Sequence, residues 1–111
     1  MDPLLVRGLQ LFNHGEYFES HEAWEEAWTP QRGPRRLFLQ ALIHFAVALY
    51  HAERANTAGA CRQLRKGLHK LAAYRPTCES IDTARLHREG SAVLAALEAG
   101  TPFEPPRVHL V

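Results

Sequence analysis

The side chains best suited to chemistry lie in one short stretch, His21–Trp28, which contains a histidine, two tryptophans and three glutamates. At 100° per residue, a helix here places four side chains within about 60° of one another: Tyr17, His21, Trp24 and Trp28. Glu25 lies at the edge of that face, one turn after His21, whereas Glu22 points away from it. The stretch therefore predicts a histidine among aromatic side chains with one carboxylate in reach.

A second polar stripe follows on an otherwise apolar segment. Gln40, His44 and His51 fall within about 40° of one another on a helical wheel. A buried polar group without a partner costs about 1–3 kcal/mol, so the two stripes are expected to face each other. The expected result is a single cluster between two helices, made of His21, Glu25, Gln40, His44 and His51.

Two interpretations of this cluster stay open. Imidazole and carboxylate groups bind divalent transition metals, and helical bundles build such sites between facing helices. In that interpretation His21, Glu25 and His51 are the candidate metal ligands, and the candidate catalytic residues are His21 as general base, Glu25 orienting it, and Glu22. In the other, the cluster is a hydrogen-bonded network that fixes helix register and catalyses nothing. Whether the chain is an enzyme stays undecided, because neither a completed zinc-protease motif nor a ferritin-type Glu-x-x-His is present.

The order of these residues matches a known pattern. The first part is Phe12–Asn13–x–Gly15–x–x–Phe18–x–x–His21–Glu22–x–Trp24–Glu25–x–x–Trp28, and the second runs from Phe38 through His51 to Ala60. Over roughly residues 11 to 72 the chain resembles the bacterial and archaeal family known as domain of unknown function 309, with Ala41 where that family often has glycine. The resemblance implies a small all-helical cytosolic protein and no known activity.

The family pattern also implies which positions matter: Asn13, His21, Glu22, Trp24, Glu25, Trp28, Gln40 and His51. His44 is added by helical geometry alone. The candidate pocket or ligand-binding residues are therefore Asn13, Trp24, Trp28, Gln40, His44 and His51.

The elements that must position these residues all have helical periodicity. Five helices are expected: Asp2 to Phe12, Glu16 to Trp28, Pro34 to Ala55, a fourth from Thr57 as its cap to Tyr74, and Asp82 to Ala99. Apolar residues cover most of the third helix, which places it at the centre. The prediction is an all-α, antiparallel up-and-down bundle over residues 1–100, followed by an extended proline-rich tail over 101–111 that Phe103 or Leu110 fastens.

Composition narrows the classes of function. The chain has 111 residues, 46% of them hydrophobic, and a net charge of +1, so nucleic acid is an unlikely partner and a globular domain is expected. No apolar run reaches the ~18 residues of a membrane helix, and two cysteines are too few for a disulfide scaffold. These features favour a cytoplasmic protein. Eleven arginines against two lysines suit a thermophile or a GC-rich genome.

A different class of function fits the same helices. The stretch Gly15–Ser20 and the stretch Asn56–Ala60 both resemble helical-hairpin repeats that bind peptides, although their offset of about 41 residues differs from the usual 34. A protein- or peptide-interaction module with a purely structural polar network is therefore the alternative, and a homodimer through the second helix belongs to it. An exposed apolar groove would favour this alternative.

Overall fold

The computed structural model describes all 111 residues and consists almost entirely of helix. The α-helices are α1 (Pro3–Asn13), α2 (Tyr17–Trp28), α3 (Pro34–Glu53), α4 (Thr57–Leu71) and α5 (Thr83–Ala99). A short 3₁₀ turn (Ala72–Tyr74) and a hairpin of two-residue strands, β1 (Thr77–Cys78) and β2 (Ile81–Asp82), connect α4 to α5. The predicted all-α class and its five helices are confirmed.

Local signals set the helix ends. Asp2 precedes Pro3, the first residue of α1, and its carboxylate accepts a hydrogen bond from the Leu4 N–H. At the start of α5 the Asp82 carboxylate accepts one from the Arg85 backbone N–H. Gly100 ends α5 in the left-handed conformation, with φ at 71°. The expected cap of α4 at Thr57 is wrong by one residue, because the Asn56 side chain accepts the hydrogen bond from the Gly59 N–H.

The third helix is the centre of the bundle. It packs against both α2 and α4, while α1 packs on α2 and α5 packs on α4, so helices adjacent in sequence are neighbours in space. Nine of its twenty residues are buried: Phe38, Leu39, Ala41, Leu42, Ile43, Phe45, Ala46, Ala48 and Leu49. One narrow stripe of α3 stays outside this core, and it is the stripe of Gln40, His44 and His51.

The tail after α5 lies against the bundle and the hairpin. Val108 is buried, Phe103 packs partly buried against the core, and Leu110 stays exposed while pairing with Ile81. The Asp82 N–H donates to the His109 carbonyl, and the Val111 N–H donates to the Ser80 carbonyl. Val108 is thus a buried anchor of the tail, and its role was not predicted because no periodicity marks a single apolar residue in an extended segment.

None of the five helices combines the length and the apolar character that crossing a membrane would require.

Candidate functional site

One side of α2 is closed against α1. Trp24 is fully buried, and its indole N–H donates to the Leu5 carbonyl at 3.1 Å. Ser20 donates to the Gly8 carbonyl at 2.8 Å. A Cβ atom at Gly8 would lie 2.2 Å from the indole nitrogen of Trp24, so the ring rests directly on the glycine backbone. Trp24, a predicted pocket residue, is therefore a core anchor.

The neighbouring side of α2, about 60° to 100° around the helix from Trp24, carries the predicted pair of His21 and Glu25. The His21 Nε2 atom lies 2.9 Å from a Glu25 carboxylate oxygen, and its Nδ1 atom lies 3.3 Å from the Phe18 carbonyl oxygen. Glu25 is half exposed. Both ring nitrogens therefore face acceptors, and in this rotamer neither directs a free lone pair toward a metal or a substrate.

His51 lies near this pair but has a different partner. The Asn56 side-chain amide donates to His51 Nδ1 at 3.3 Å. His51 and His21 line the same cavity of about 170 Å³, together with Phe18, Val47 and Tyr50. No three histidine, cysteine, aspartate or glutamate side chains are grouped so that they could hold a metal ion. The residues present therefore do not fit the expected metal site of His21, Glu25 and His51.

His44 is bound to α4 rather than to α2. The distance from its Nδ1 atom to the Gln63 side-chain oxygen is 2.7 Å, and the distance from its Nε2 atom to Lys70 Nζ is 3.4 Å. Lys70 can only donate, so Nε2 accepts and Nδ1–H donates, which makes His44 neutral. Burial is the main cause that lowers the pKa of His44, and the charges of Lys70 and Lys66 lower it further against the opposing bond from Gln63. The expectation that His44 pairs with the polar stripe of α2 is wrong.

Gln40 lines a second cavity, of about 270 Å³, that adjoins the first at Val47. Its walls come from three helices: Glu25 and Trp28 of α2, Gln40, Ile43, His44 and Val47 of α3, and Gln63 of α4. The two cavities together are called the α2–α3–α4 groove here. The structure thus gathers the predicted polar residues along an open groove, in two neighbouring cavities, and not in one buried cluster.

Trp28 forms part of the groove wall. The Arg36 guanidinium lies 3.8 Å from the centre of its ring, a cation–π contact. Its indole N–H is buried and has no hydrogen-bond partner. Trp28 therefore differs from Trp24, whose N–H is bonded inside the core.

Two further predicted positions lie outside the groove cavities. The Asn13 side chain donates to the Val108 carbonyl and accepts from the Val108 N–H, both at 2.8 Å, so it holds the tail against α1. Glu22 is exposed and lines neither cavity. Asn13 thus has a structural contact in place of the pocket position expected for it.

Exposed apolar residues mark the same face of the molecule. Five large hydrophobic side chains are exposed, and three of them, Met1, Leu110 and Val111, are at the chain ends. The other two are Phe18, 45% exposed, and Leu37, 50% exposed. Phe18 lies against Tyr50 near the end of α3, whereas Leu37 lies near its start, about 20 Å away by helical rise.

Sequence reasoning missed Gln63 and Lys70 as residues of this face. The helical wheel of α4 assigns Lys66 and Lys70 to a solvated side, which is an ordinary reading of charged residues on an amphipathic helix. One signal could have identified them. A partly buried His44 needs hydrogen-bond partners, and α4, the next helix in the chain, offers Gln63 and Lys70.

Comparison with known proteins identifies a family and assigns no activity. A family model described as "Domain of unknown function (DUF309)" matches residues 5–63. The "Uncharacterized protein YpuF" of Bacillus subtilis (strain 168) is 34% identical over 93 residues, which is 80% of this chain and 53% of that protein. The chain therefore spans about half the length of this curated relative. With the family model covering more than half of its residues, the chain belongs to the family of domain of unknown function 309.

Proposed function

We propose that the chain is a helical protein-interaction module and that the α2–α3–α4 groove is its binding surface. The observation that carries this proposal is the position of Phe18 and Leu37. Apart from the chain ends, they are the large apolar side chains that the fold leaves exposed. Phe18 lines the groove, and Leu37 lies beyond it on the helical stripe of α3 that carries Gln40 and His44. Exposed apolar side chains within and beside a groove are typical of an interaction site.

The chemistry of the groove supports a protein partner. Aromatic and aliphatic side chains, among them Phe18, Tyr50 and Val47, would contribute buried area. Polar groups such as Gln40 and Gln63 lie between them and can bond to a peptide backbone or side chain. Interfaces are commonly built in this way, with apolar anchors surrounded by hydrogen-bonding groups.

A catalytic role is not part of the proposal. His21, the predicted general base, has acceptors at both ring nitrogens, and His44 is bonded through both of its nitrogens. A cytoplasmic location is part of it, because both cysteines are free thiols, as is usual in a reducing compartment.

Site-specific photo-cross-linking in living cells tests the proposal. A photoreactive amino acid replaces Leu37, on the exposed stripe of α3 beside the groove, and, as the matched control, Arg88, an exposed residue of α5. We expect discrete protein adducts from position 37 that are lost when Phe18→Ser is added, and none from position 88. Adducts that are absent at 37, or equally abundant at 88, would contradict the proposal.

A small polar ligand is a second candidate, favoured by one observation. The unpartnered N–H of Trp28 belongs to a residue that lines the cavity of about 270 Å³, beside Gln40 and Gln63. The N–H itself is buried, so a ligand oxygen would satisfy this donor, which otherwise costs about 1–3 kcal/mol, once the Trp28 ring turns toward the cavity. A screen of small carboxylates and amides by tryptophan fluorescence and melting temperature tests this candidate. A ligand of this site should bind the native protein and lose affinity for Trp28→Phe, which keeps a ring and removes the N–H.

A further inference from the structure

The two helices that flank α3 on the groove carry opposite charges. α2 contains four glutamates, Glu19, Glu22, Glu25 and Glu26, and neither lysine nor arginine. α4 contains four cations, Arg62, Arg65, Lys66 and Lys70, and neither aspartate nor glutamate. Glu19 and Glu26 point away from the groove, and Arg65 pairs with Glu98 of α5. The binding face thus has an acidic edge at Glu25, with Glu22 on its outer side, and a basic edge at Lys66 and Lys70, with the exposed stripe of α3 between them.

We propose that the partner which occupies this face is a second copy of the same chain, so that the module forms a symmetric dimer. This inference rests on the proposed function, since it names the occupant of the same groove. A surface that is acidic along one edge and basic along the other is complementary to itself after a half-turn. Symmetric interfaces of identical chains require that kind of self-complementarity.

The direction of the twofold axis follows from the charges. An axis parallel to α3 places α2 of each copy over α4 of the other, which sets glutamates against lysines and arginines twice. An axis perpendicular to α3 would instead set α2 against α2, and like charges placed opposite each other at an interface repel. The parallel axis also brings Leu37 of one copy close to Leu37 of the other, because Leu37 lies on the central stripe.

The charged groups lie at matching heights along the groove. Glu25, His44 and Gln63 line the same cavity, and Lys70 Nζ is 3.4 Å from His44 Nε2. Glu25 and Lys70 therefore flank the same level of α3 from opposite sides. Neither Lys66 nor Lys70 forms an ion pair within the chain, and neither does Glu22. Glu25 pairs with His21, and Lys70 donates to neutral His44, so the charges of Lys66, Lys70 and Glu22 have no opposite charge within the chain.

The size of the face suits a modest dimer. With 20 residues in α3 and helix axes about 9 Å apart, the face measures roughly 30 Å by 20 Å. Two copies would bury about 1,200 Å² in total, which is the lower limit for a specific and stable interface. Charge contributes much to the stability of such an interface. The dimer should therefore weaken between about 0.1 M and about 1 M salt, because the Debye length shortens from about 10 Å to about 3 Å.

Carbodiimide cross-linking of the purified full chain tests the arrangement directly. The reagent joins carboxylates to amines without a spacer, and Lys66 and Lys70 are the only two lysines in the chain. An equal mixture of ¹⁴N and ¹⁵N protein distinguishes bonds between copies from bonds within one. We expect mixed-isotope peptides that join Lys66 or Lys70 to Glu22 or Glu25.

Charge reversal provides the matched variants. Glu22→Lys with Glu25→Lys, and separately Lys66→Glu with Lys70→Glu, should each weaken the dimer at least about tenfold in sedimentation equilibrium. Mixing the two variants should restore a dimer, because each then meets opposite charges on both sides. The control variants Glu104→Lys and Arg88→Glu change exposed charges away from the groove and should leave the dimer unchanged. The restored mixture also shows that the reversed chains are folded.

The outcomes separate this inference from the proposed function. A chain that stays monomeric at about 1 mM and low salt overturns the dimer, and a dimer that both reversals leave intact overturns its placement on this face. If photo-cross-linking at Leu37 then captures a different protein, the interaction module stands and only the identity of its occupant is wrong. If it captures nothing, both fail.

Discussion

Trp24 and Trp28 lie one turn apart on α2 and belong to two different regions. The seam between α1 and α2, around Trp24, is closed: the ring is fully buried, and its N–H and the Ser20 hydroxyl are hydrogen bonded to α1. The groove around Trp28 is open: its N–H has no partner, and apolar and charged side chains face solvent. A single helix therefore stabilises the fold on one side and presents a binding surface on the side next to it.

The difference lies in what packs against each side. α1 covers the Trp24 side from Leu5 to Phe12, whereas no helix covers the stripe of α3 between α2 and α4. Residues of the same type, such as the two tryptophans, therefore contribute differently to stability. Substitutions on the two sides should change the free energy of unfolding by very different amounts.

The largest expected effect comes from the closed seam. Trp24→Ala should lower the free energy of unfolding by about 3–5 kcal/mol, because it leaves a large cavity and removes the indole N–H bond to the Leu5 carbonyl. Trp28→Ala should lower it by only about 1–2 kcal/mol, since its ring is partly exposed. Urea unfolding of both variants measures the difference. Equal losses would contradict the distinction between the two regions.

The next effect concerns Asn13, also on the closed part of the molecule. Asn13→Ala should lower the free energy of unfolding by about 1–3 kcal/mol, because both backbone groups of Val108 lose their partners at a buried position. Amide hydrogen exchange at Val108 should accelerate as well. The neighbouring exposed residue serves as control, with His14→Ala expected within about 0.5 kcal/mol of the native chain. Unchanged exchange at Val108 would show that the tail is held by other contacts.

A smaller effect depends on pH and belongs to the groove. Burial lowers the pKa of His44 in the folded chain, so the unfolded chain binds more protons just below neutral pH. The stabilisation is complete above the unfolded pKa near 6.5 and is lost as the pH falls toward and below the lower folded value. The melting temperature should therefore fall between pH 7 and pH 5, and less steeply in His44→Gln.

His87 tests the assignment of this pH dependence. Burial is also the main cause that lowers the pKa of His87, on the far side of the bundle, so its contribution has the same sign. His44→Gln with His87→Gln should flatten the pH profile further. A profile that neither variant alters would show that other groups control acid stability.

The smallest effect is expected at the pair of His21 and Glu25. Glu25→Gln should change the free energy of unfolding by about 0.5 kcal/mol or less, because the contact with His21 is a partly solvated pair one turn apart. A double-mutant cycle with His21→Ala isolates that contact. A loss of 2 kcal/mol would instead support the buried network that the sequence predicted.

The helices could be predicted because their signals are local. Asp2 with Pro3 starts α1, Gly100 ends α5, and the apolar circumference of α3 places it at the centre. For the site, the sequence predicted several of the residues that take part but not the contacts between them. Both polar stripes were recognised, and Glu25, Gln40 and His44 do share a cavity, but the partners of His44 and His51 were wrong or missing. Helical wheels give the direction of a side chain on its own helix and leave the neighbouring helix undetermined.

The sequence by itself therefore determined the class of fold, the order of its helices, their ends to within three residues, and the opposite charges of α2 and α4. Each depends on residue types within a few turns of chain, where capping, periodicity and charge act. Only the tertiary structure decided that the polar stripe of α3 is open to solvent, that His44 bonds to Gln63 and Lys70, and that Asn13 holds Val108. These contacts join residues 19 to 95 positions apart, and they exist because packing the apolar faces brings those helices and the tail together.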